Sequence, residues 1–134
     1  MPVVGIGIDL VDVHQAERLM ERWGERLMRR VLTEAERAYV MRFRRPAKYV
    51  AVRLAAKEAV YKALQSLPGA REIGWREIEV ERTGDGRPVV RLHGRAATLG
   101  VGVNRAGERG GLRVTLSLSH TEHTAGAVAV VESA

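Results

Sequence analysis

Two of the chain's three lysines, Lys57 and Lys62, stand on either side of Glu58 in the stretch RLAAKEAVYKAL (residues 53–64), whereas 19 of its 22 basic residues are arginine. An ammonium differs from a guanidinium in being compact, rotatable and able to lose its proton, so its use here points to a task that arginine performs badly. At about 100° per residue, a helix through this stretch places Glu58 and Lys62 on one stripe with Ala51 and Ala55. The rest of the circumference is mostly Val, Leu, Tyr and Ala, so the helix is expected to be buried on nearly every side. On an exposed surface, a Glu-to-Lys pair four residues apart adds only a few tenths of a kcal/mol. Buried against alanines, the same charges need stronger partners, and a metal ion with a phosphate would supply them.

Asp9 follows the apolar run VVGIGI and is expected at the end of a strand. There it could cap the next helix, or act as a ligand for a hard cation such as Mg²⁺, which takes one or two carboxylates together with water and substrate phosphates. The segment LSLSH puts His120 just past another strand end, within reach of a ligand, while His14, His93 and His123 read as surface or structural residues. Ser117 or Ser119 with His120 and Asp9 would make a hydrolase triad, but no G-x-S-x-G elbow accompanies them. GIGIDL also lacks the third glycine of a dinucleotide fingerprint.

Composition narrows the classes. With no cysteine among 134 residues, disulfide frameworks, thiolate metal sites and cysteine nucleophiles are all excluded. A net charge of +6 calls for an acidic partner, and aromatics at 4% supply few stacking platforms for single-stranded nucleic acid. Neither a signal peptide nor a membrane span is evident, so a cytosolic protein is expected, folded as one domain over 1–134.

The elements that must position these residues can be read in order. VVGIGID forms a short buried strand whose glycines admit a close neighbour, followed at once by a helix through VDVHQAERLMERWGERLMRRVL with a possible break at Gly24. Thr33 with Glu36 is a capping box opening a second helix, and Pro46 opens the third, which SLPG ends. IEVERTGDGRPVVRL is a hairpin, HGRAATLGVGV a short helix, NRAGERGG a mobile loop, and LRVTLSLSH and TAGAVAVVES are two more strands. Helices ahead of strands predict an α+β fold, with N-terminal helices packed on a mainly antiparallel sheet.

These blocks together resemble the 4′-phosphopantetheinyl transferases of the bacterial holo-acyl-carrier-protein synthase type. The likeness runs through GIGIDLVDV, RRVLTEAE, RLAAKEAVYKAL, GRP and LSLSHTEHTAGAVAV, which cover nearly the whole chain. It implies transfer of the phosphopantetheine arm of coenzyme A to a serine of apo-acyl carrier protein, leaving adenosine 3′,5′-bisphosphate, with Mg²⁺ as cofactor. It further implies that Asp9 and Glu58 bind the metal, that Lys62 contacts the phosphate in transfer, and that Arg53, Lys57 and His120 help hold coenzyme A. Glu58 or a water on the metal would take the serine's proton. A homotrimer with its active sites between subunits, serving fatty acid biosynthesis, is also implied. The chain departs from the family pattern at Gln15, where an arginine is frequent, at Leu54, where phenylalanine is, and in the loop QSLPGAREIG.

Because acyl carrier proteins are acidic, Arg18, Arg22, Arg26 and Arg30 are expected to form a docking stripe for one. Two other readings compete with this one. A basic nucleic-acid-binding module explains the charge but leaves Asp9, Glu58 and Lys62 idle, and a metal-dependent phosphohydrolase would need no carrier protein.

Overall fold

The computed structural model describes residues 2–100 and 111–133. Its frame is a three-stranded antiparallel sheet in the order β1-β5-β4, formed by β1 (Val3–Asp12), β4 (Leu112–His120) and β5 (Thr124–Ser133). Helix α4 (Pro46–Leu64) lies along one face of that sheet. The opposite face is bare: Ile6, Ile8 and Leu10 of β1 are all more than 60% exposed, and Val128 of β5 joins them. The expectation of a buried first strand therefore holds on one side only, because a sheet with a helix on a single face buries alternate residues.

The close seat of β1 on α4 depends on two glycines. A Cβ built on Gly5 or Gly7 would collide with the main-chain carbonyl oxygen of Ala63 or Ala59. Alanines on α4 meet glycines on β1, and the two backbones approach until strand and helix are nearly in contact. Ala55, Ala59, Val60, Ala63, Ala129 and Val131 complete this fully buried layer.

The remaining helices pack at the N-terminal end of α4. Asp12 caps α1 (Val13–Trp23) by accepting from the Gln15 amide at 3.1 Å. Gly24, at φ +53°, ends that helix and starts α2 (Glu25–Val31), so the single long helix is broken where glycine permits it. Thr33 and Glu36 form the expected capping box of α3 (Glu34–Val40), and Pro46 stands at the first turn of α4. Strands β2 (Ile78–Arg82) and β3 (Pro88–Leu92) form the expected hairpin as a separate two-stranded sheet. A 3₁₀ helix spans Gly94–Leu99 where a short helix was expected, and the rest of that segment with most of NRAGERGG lies outside the described residues. Two further 3₁₀ turns, Ala70–Glu72 and Trp75–Glu77, connect α4 to β2.

Candidate functional site

Asp9 does not end its strand. β1 continues to Asp12, which supplies the helix cap, so Asp9 lies mid-strand opposite Ala127 and is free of capping. Residues paired across a sheet share a face, so Asp9 points to the α4 side with Gly5 and Gly7. There it meets Lys62, whose Nζ donates to Asp9 Oδ1 at 3.3 Å and to the Ile8 carbonyl at 3.0 Å. Glu58 stands one turn back on the same stripe of α4 and makes no hydrogen bond or ion pair among the described residues. It borders a pocket of about 280 Å³ formed with Lys57, Tyr61, Ile73, Gly74, Trp75 and Ile78. The side chains of Tyr61, Ile73, Trp75 and Ile78 supply the apolar part of this open recess beside the carboxylate.

Of the charges on α4, the pair expected to be buried against alanines is the one that meets solvent. Lys62 has half its side chain exposed and Glu58 is half-buried, whereas Arg53 and Lys57 are 1% exposed. A helix that is apolar all round has no hydrophobic direction, so its spacing cannot tell which stripe meets solvent. Nor do Glu58 and Lys62 form the ordinary pair that their spacing allows, because Lys62 reaches across to β1 instead.

Lys57 belongs to a closed network behind the helix. Its Nζ lies 2.7 Å from Glu36 Oε1 and donates to the Trp75 carbonyl at 2.9 Å and to the Ile78 carbonyl. All three ammonium protons are thereby used. Glu36 also accepts from the Thr33 and Val80 amides. Next to it, Glu79 accepts from the Thr33 hydroxyl and lies 2.9 Å from His93 Nε2. Burial pushes the Lys57 ammonium below its usual pKa, against the opposing pull of Glu36. Burial raises the Glu79 carboxyl, yet the hydrogen bonds from Thr33 and His93 and the nearby positive charge outweigh it, and the pKa falls below the carboxylate range. Arg53 lies over the Tyr39 ring at 4.2 Å, with Nε and Nη1 lacking hydrogen-bond partners among the described residues. Burial is the main reason its pKa is lowered.

Sequence reasoning missed Glu36, Glu79 and His93 as a unit. The capping box accounts for Glu36, and Glu79 reads only as one residue of the hairpin. The available signal was the Thr33–Glu36 box itself, since only one carboxylate oxygen serves the cap and the other, once buried, must find a donor.

His120 is remote from this cluster within the chain. It shares the α4-side face with Asp9, but lies two strands across and one residue pair along, about 12 Å away by sheet spacing. Ser117 and Ser119 align with Ile8 and Leu10 on the opposite face, so the Ser-His-Asp arrangement is ruled out by the alternation of the sheet. Arg18, Arg22, Arg26 and Arg30 are all exposed, but Gly24 divides them between α1 and α2, and the expected continuous stripe is bent. Arg22 and Arg26 both lie over Trp23, at 5.2 and 6.0 Å from its ring.

Asp9 and Glu58 suit a hard divalent cation. No group of three or more His, Asp or Glu gathers among the described residues, but Mg²⁺ binds through one or two carboxylates and completes its shell with water and phosphate. Asp9 already attracts a cationic ammonium, and Glu58 has no partner among the described residues, so one carboxylate here is without a countercharge among them.

The model of the 4′-phosphopantetheinyl transferase superfamily matches residues 5–116. A holo-(acyl-carrier-protein) synthase of Moorella thermoacetica is 45% identical over 127 residues, covering 95% of this chain and 92% of the relative. The enzyme of the same name from Paramagnetospirillum magneticum is 44% identical over 133 residues, covering 98% and 97%. Among solved structures, the Bacillus anthracis holo-(acyl-carrier-protein) synthase in complex with CoA (3′,5′-ADP) superposes with a TM-score of 0.76 at 31% identity, covering 98% of each chain. The Chronobacterium ammoniagenes ACPS-CoA complex superposes with a TM-score of 0.79 at 26% identity, covering 100% of this chain and 99% of that one.

Proposed function

The chain belongs to the 4′-phosphopantetheinyl transferase superfamily, and from that premise we propose that its reaction runs on Asp9, Glu58 and Lys62 with Mg²⁺. The protein is a holo-acyl-carrier-protein synthase: it moves 4′-phosphopantetheine from coenzyme A to a serine of apo-acyl carrier protein. The nucleic-acid-binding alternative finds no support among these relatives. The observation that carries the site assignment is the contact of Asp9 with Lys62, one helical turn from a Glu58 that has no partner among the described residues.

In the transfer, the serine oxygen bonds to the phosphorus nearest pantetheine. The bond from that same phosphorus to the bridging oxygen breaks, and adenosine 3′,5′-bisphosphate departs with the bridging oxygen and the electron pair. Asp9 and Glu58 would hold the metal, which supplies charge neutralisation at the phosphate oxygens. The Lys62 ammonium follows the leaving oxygen as its negative charge grows, which suits a rotatable point charge on a half-exposed stem. Glu58, half-buried and without a partner among the described residues, would take the serine proton, directly or through water.

Arg53 retains unused donors for a coenzyme phosphate, reached if the cover over it opens. Lys57 has none to spare, so we assign it to holding α4 against the 75–78 segment, and thereby to positioning Glu58. The separation of His120 from Asp9 favours its serving a neighbouring subunit's site. The bare face of Ile6, Ile8, Leu10 and Val128 supports the homotrimer, because apolar area of this kind calls for cover. The arginines of α1 and α2 would receive the acidic carrier. Among the described residues no helix is long and apolar enough to cross a membrane, and we place the single-domain enzyme in the cytoplasm, supporting fatty acid biosynthesis.

Mass spectrometry of apo-acyl carrier protein tests the metal assignment: the phosphopantetheine increment should require both coenzyme A and Mg²⁺. Full conversion in excess chelator would contradict it. Sedimentation should give three chains per particle, and a single-chain mass at working concentration would remove the trimer.

A further inference from the structure

We propose that Lys62 is a built-in counterion for Asp9, competing with the metal for its carboxylate until the phosphate of coenzyme A draws it away. This rests on Asp9 being a metal ligand. The geometry is specific to Lys62. Its ammonium has Glu58 one helical turn away at a spacing that favours pairing, yet it crosses to β1 and bonds Asp9 Oδ1 and the Ile8 carbonyl. The close seat of Gly5 and Gly7 on α4 brings that strand within reach, and the carbonyl adds an acceptor that Glu58 does not offer. The contact offsets the charge of Asp9 in a region that also holds the Glu58 carboxylate, one turn back on α4 from Lys62.

An ammonium and a divalent cation cannot occupy the same carboxylate oxygen without repelling each other, so loading the metal requires Lys62 to move. It is free to do so. Half its side chain is exposed, its stem has four rotatable bonds, and among the described residues only Ile8 and Asp9 hold it. A coenzyme phosphate offers the ammonium a better partner, so phosphate binding removes the metal's competitor, and by reciprocity metal binding frees the lysine for phosphate. Metal and coenzyme A should therefore bind with positive cooperativity that passes through Lys62.

Mn²⁺ binding, read by the paramagnetic signal of the free ion, tests this in wild type, Lys62→Met and Asp9→Asn, with and without saturating coenzyme A. Without coenzyme A, Lys62→Met should bind Mn²⁺ about threefold tighter than wild type, the scale of a partly exposed ion pair. With coenzyme A present, that advantage should vanish or reverse. Equal or weaker Mn²⁺ binding by Lys62→Met without coenzyme A would overturn the proposal. So would a tightening that persists unchanged with coenzyme A, since that is the through-space effect of any removed positive charge. If Asp9→Asn binds Mn²⁺ like wild type, or no form binds it, the metal assignment falls and the competition falls with it. Loss of binding in Asp9→Asn without tightening in Lys62→Met rejects the competition alone.

Discussion

The two lysines that flank Glu58 sit on opposite sides of one helix and live under opposite physics. Behind α4, Lys57 is sealed with Glu36 and every proton it carries is accepted, so its charge is committed to holding α4, the start of α3 and the 75–80 segment together. In front, Lys62 is half-exposed and, among the described residues, bonded only to β1, one turn from a Glu58 carboxylate that has no partner there. A satisfied buried charge resists change, and an open, incompletely satisfied cluster can exchange partners during a reaction. Substitutions behind the helix should therefore register in stability, and those in front in turnover.

The largest stability effect should come from Glu36→Gln, which leaves the buried Lys57 ammonium without the carboxylate it contacts. A loss of about 3 kcal/mol in urea unfolding is expected. A change under about 1 kcal/mol would mean that the rear network is not the structural clamp described. Exchanging the lysines for methionine sharpens the same contrast. Lys57→Met should lower stability by about 2 kcal/mol with the affinity for coenzyme A largely kept, whereas Lys62→Met should unfold within about 1 kcal/mol of wild type and turn over slowly. Equal loss of stability in the two would erase the distinction between front and back.

Much of this architecture could be read from the residues. The Thr33–Glu36 box and Pro46 fixed two helix starts, the Gly84–Gly86 turn marked the hairpin, and alternation in LRVTLSLSH and TAGAVAVV matched β4 and β5. Asp9, Glu58 and Lys62 could be singled out by chemistry, but not their burial. β1 ran three residues beyond its expected end because Asp12, not Asp9, takes the cap, and two aspartates so close in sequence are equivalent to a local rule. Which side of α4 is open depends on the sheet and on the 75–80 segment, which are far away in sequence. The Lys57–Glu36–Glu79 network is wholly of this kind: each residue is locally ordinary, and only the tertiary fold assembles it.

Smaller effects belong to the periphery. Arg22→Glu with Arg26→Glu should raise the KM for carrier protein about tenfold at low salt and weaken its salt dependence, with coenzyme A affinity unchanged. An unchanged carrier KM would move the docking surface to Arg42, Arg44 and Arg45. The rear network should also carry a mild pH signature. Because the folded-state pKa of Glu79 lies below its ordinary value, its contribution is complete above the usual carboxylate range and is lost as pH falls below that range through the folded value. Stability of Glu79→Gln should accordingly fall less steeply than wild type on acidification below about pH 4.5. Parallel acid profiles would show that Glu79 is not linked to folding.

The most direct test of the open cluster is transfer itself, followed as the phosphopantetheine mass gain on apo-acyl carrier protein across a Mg²⁺ titration, with thermal unfolding measured on the same samples. Asp9→Asn and Glu58→Gln should each lower the rate about 10²- to 10³-fold, while melting close to wild type. Wild-type transfer by either variant at limiting Mg²⁺ would contradict the assignment of the metal to these two carboxylates.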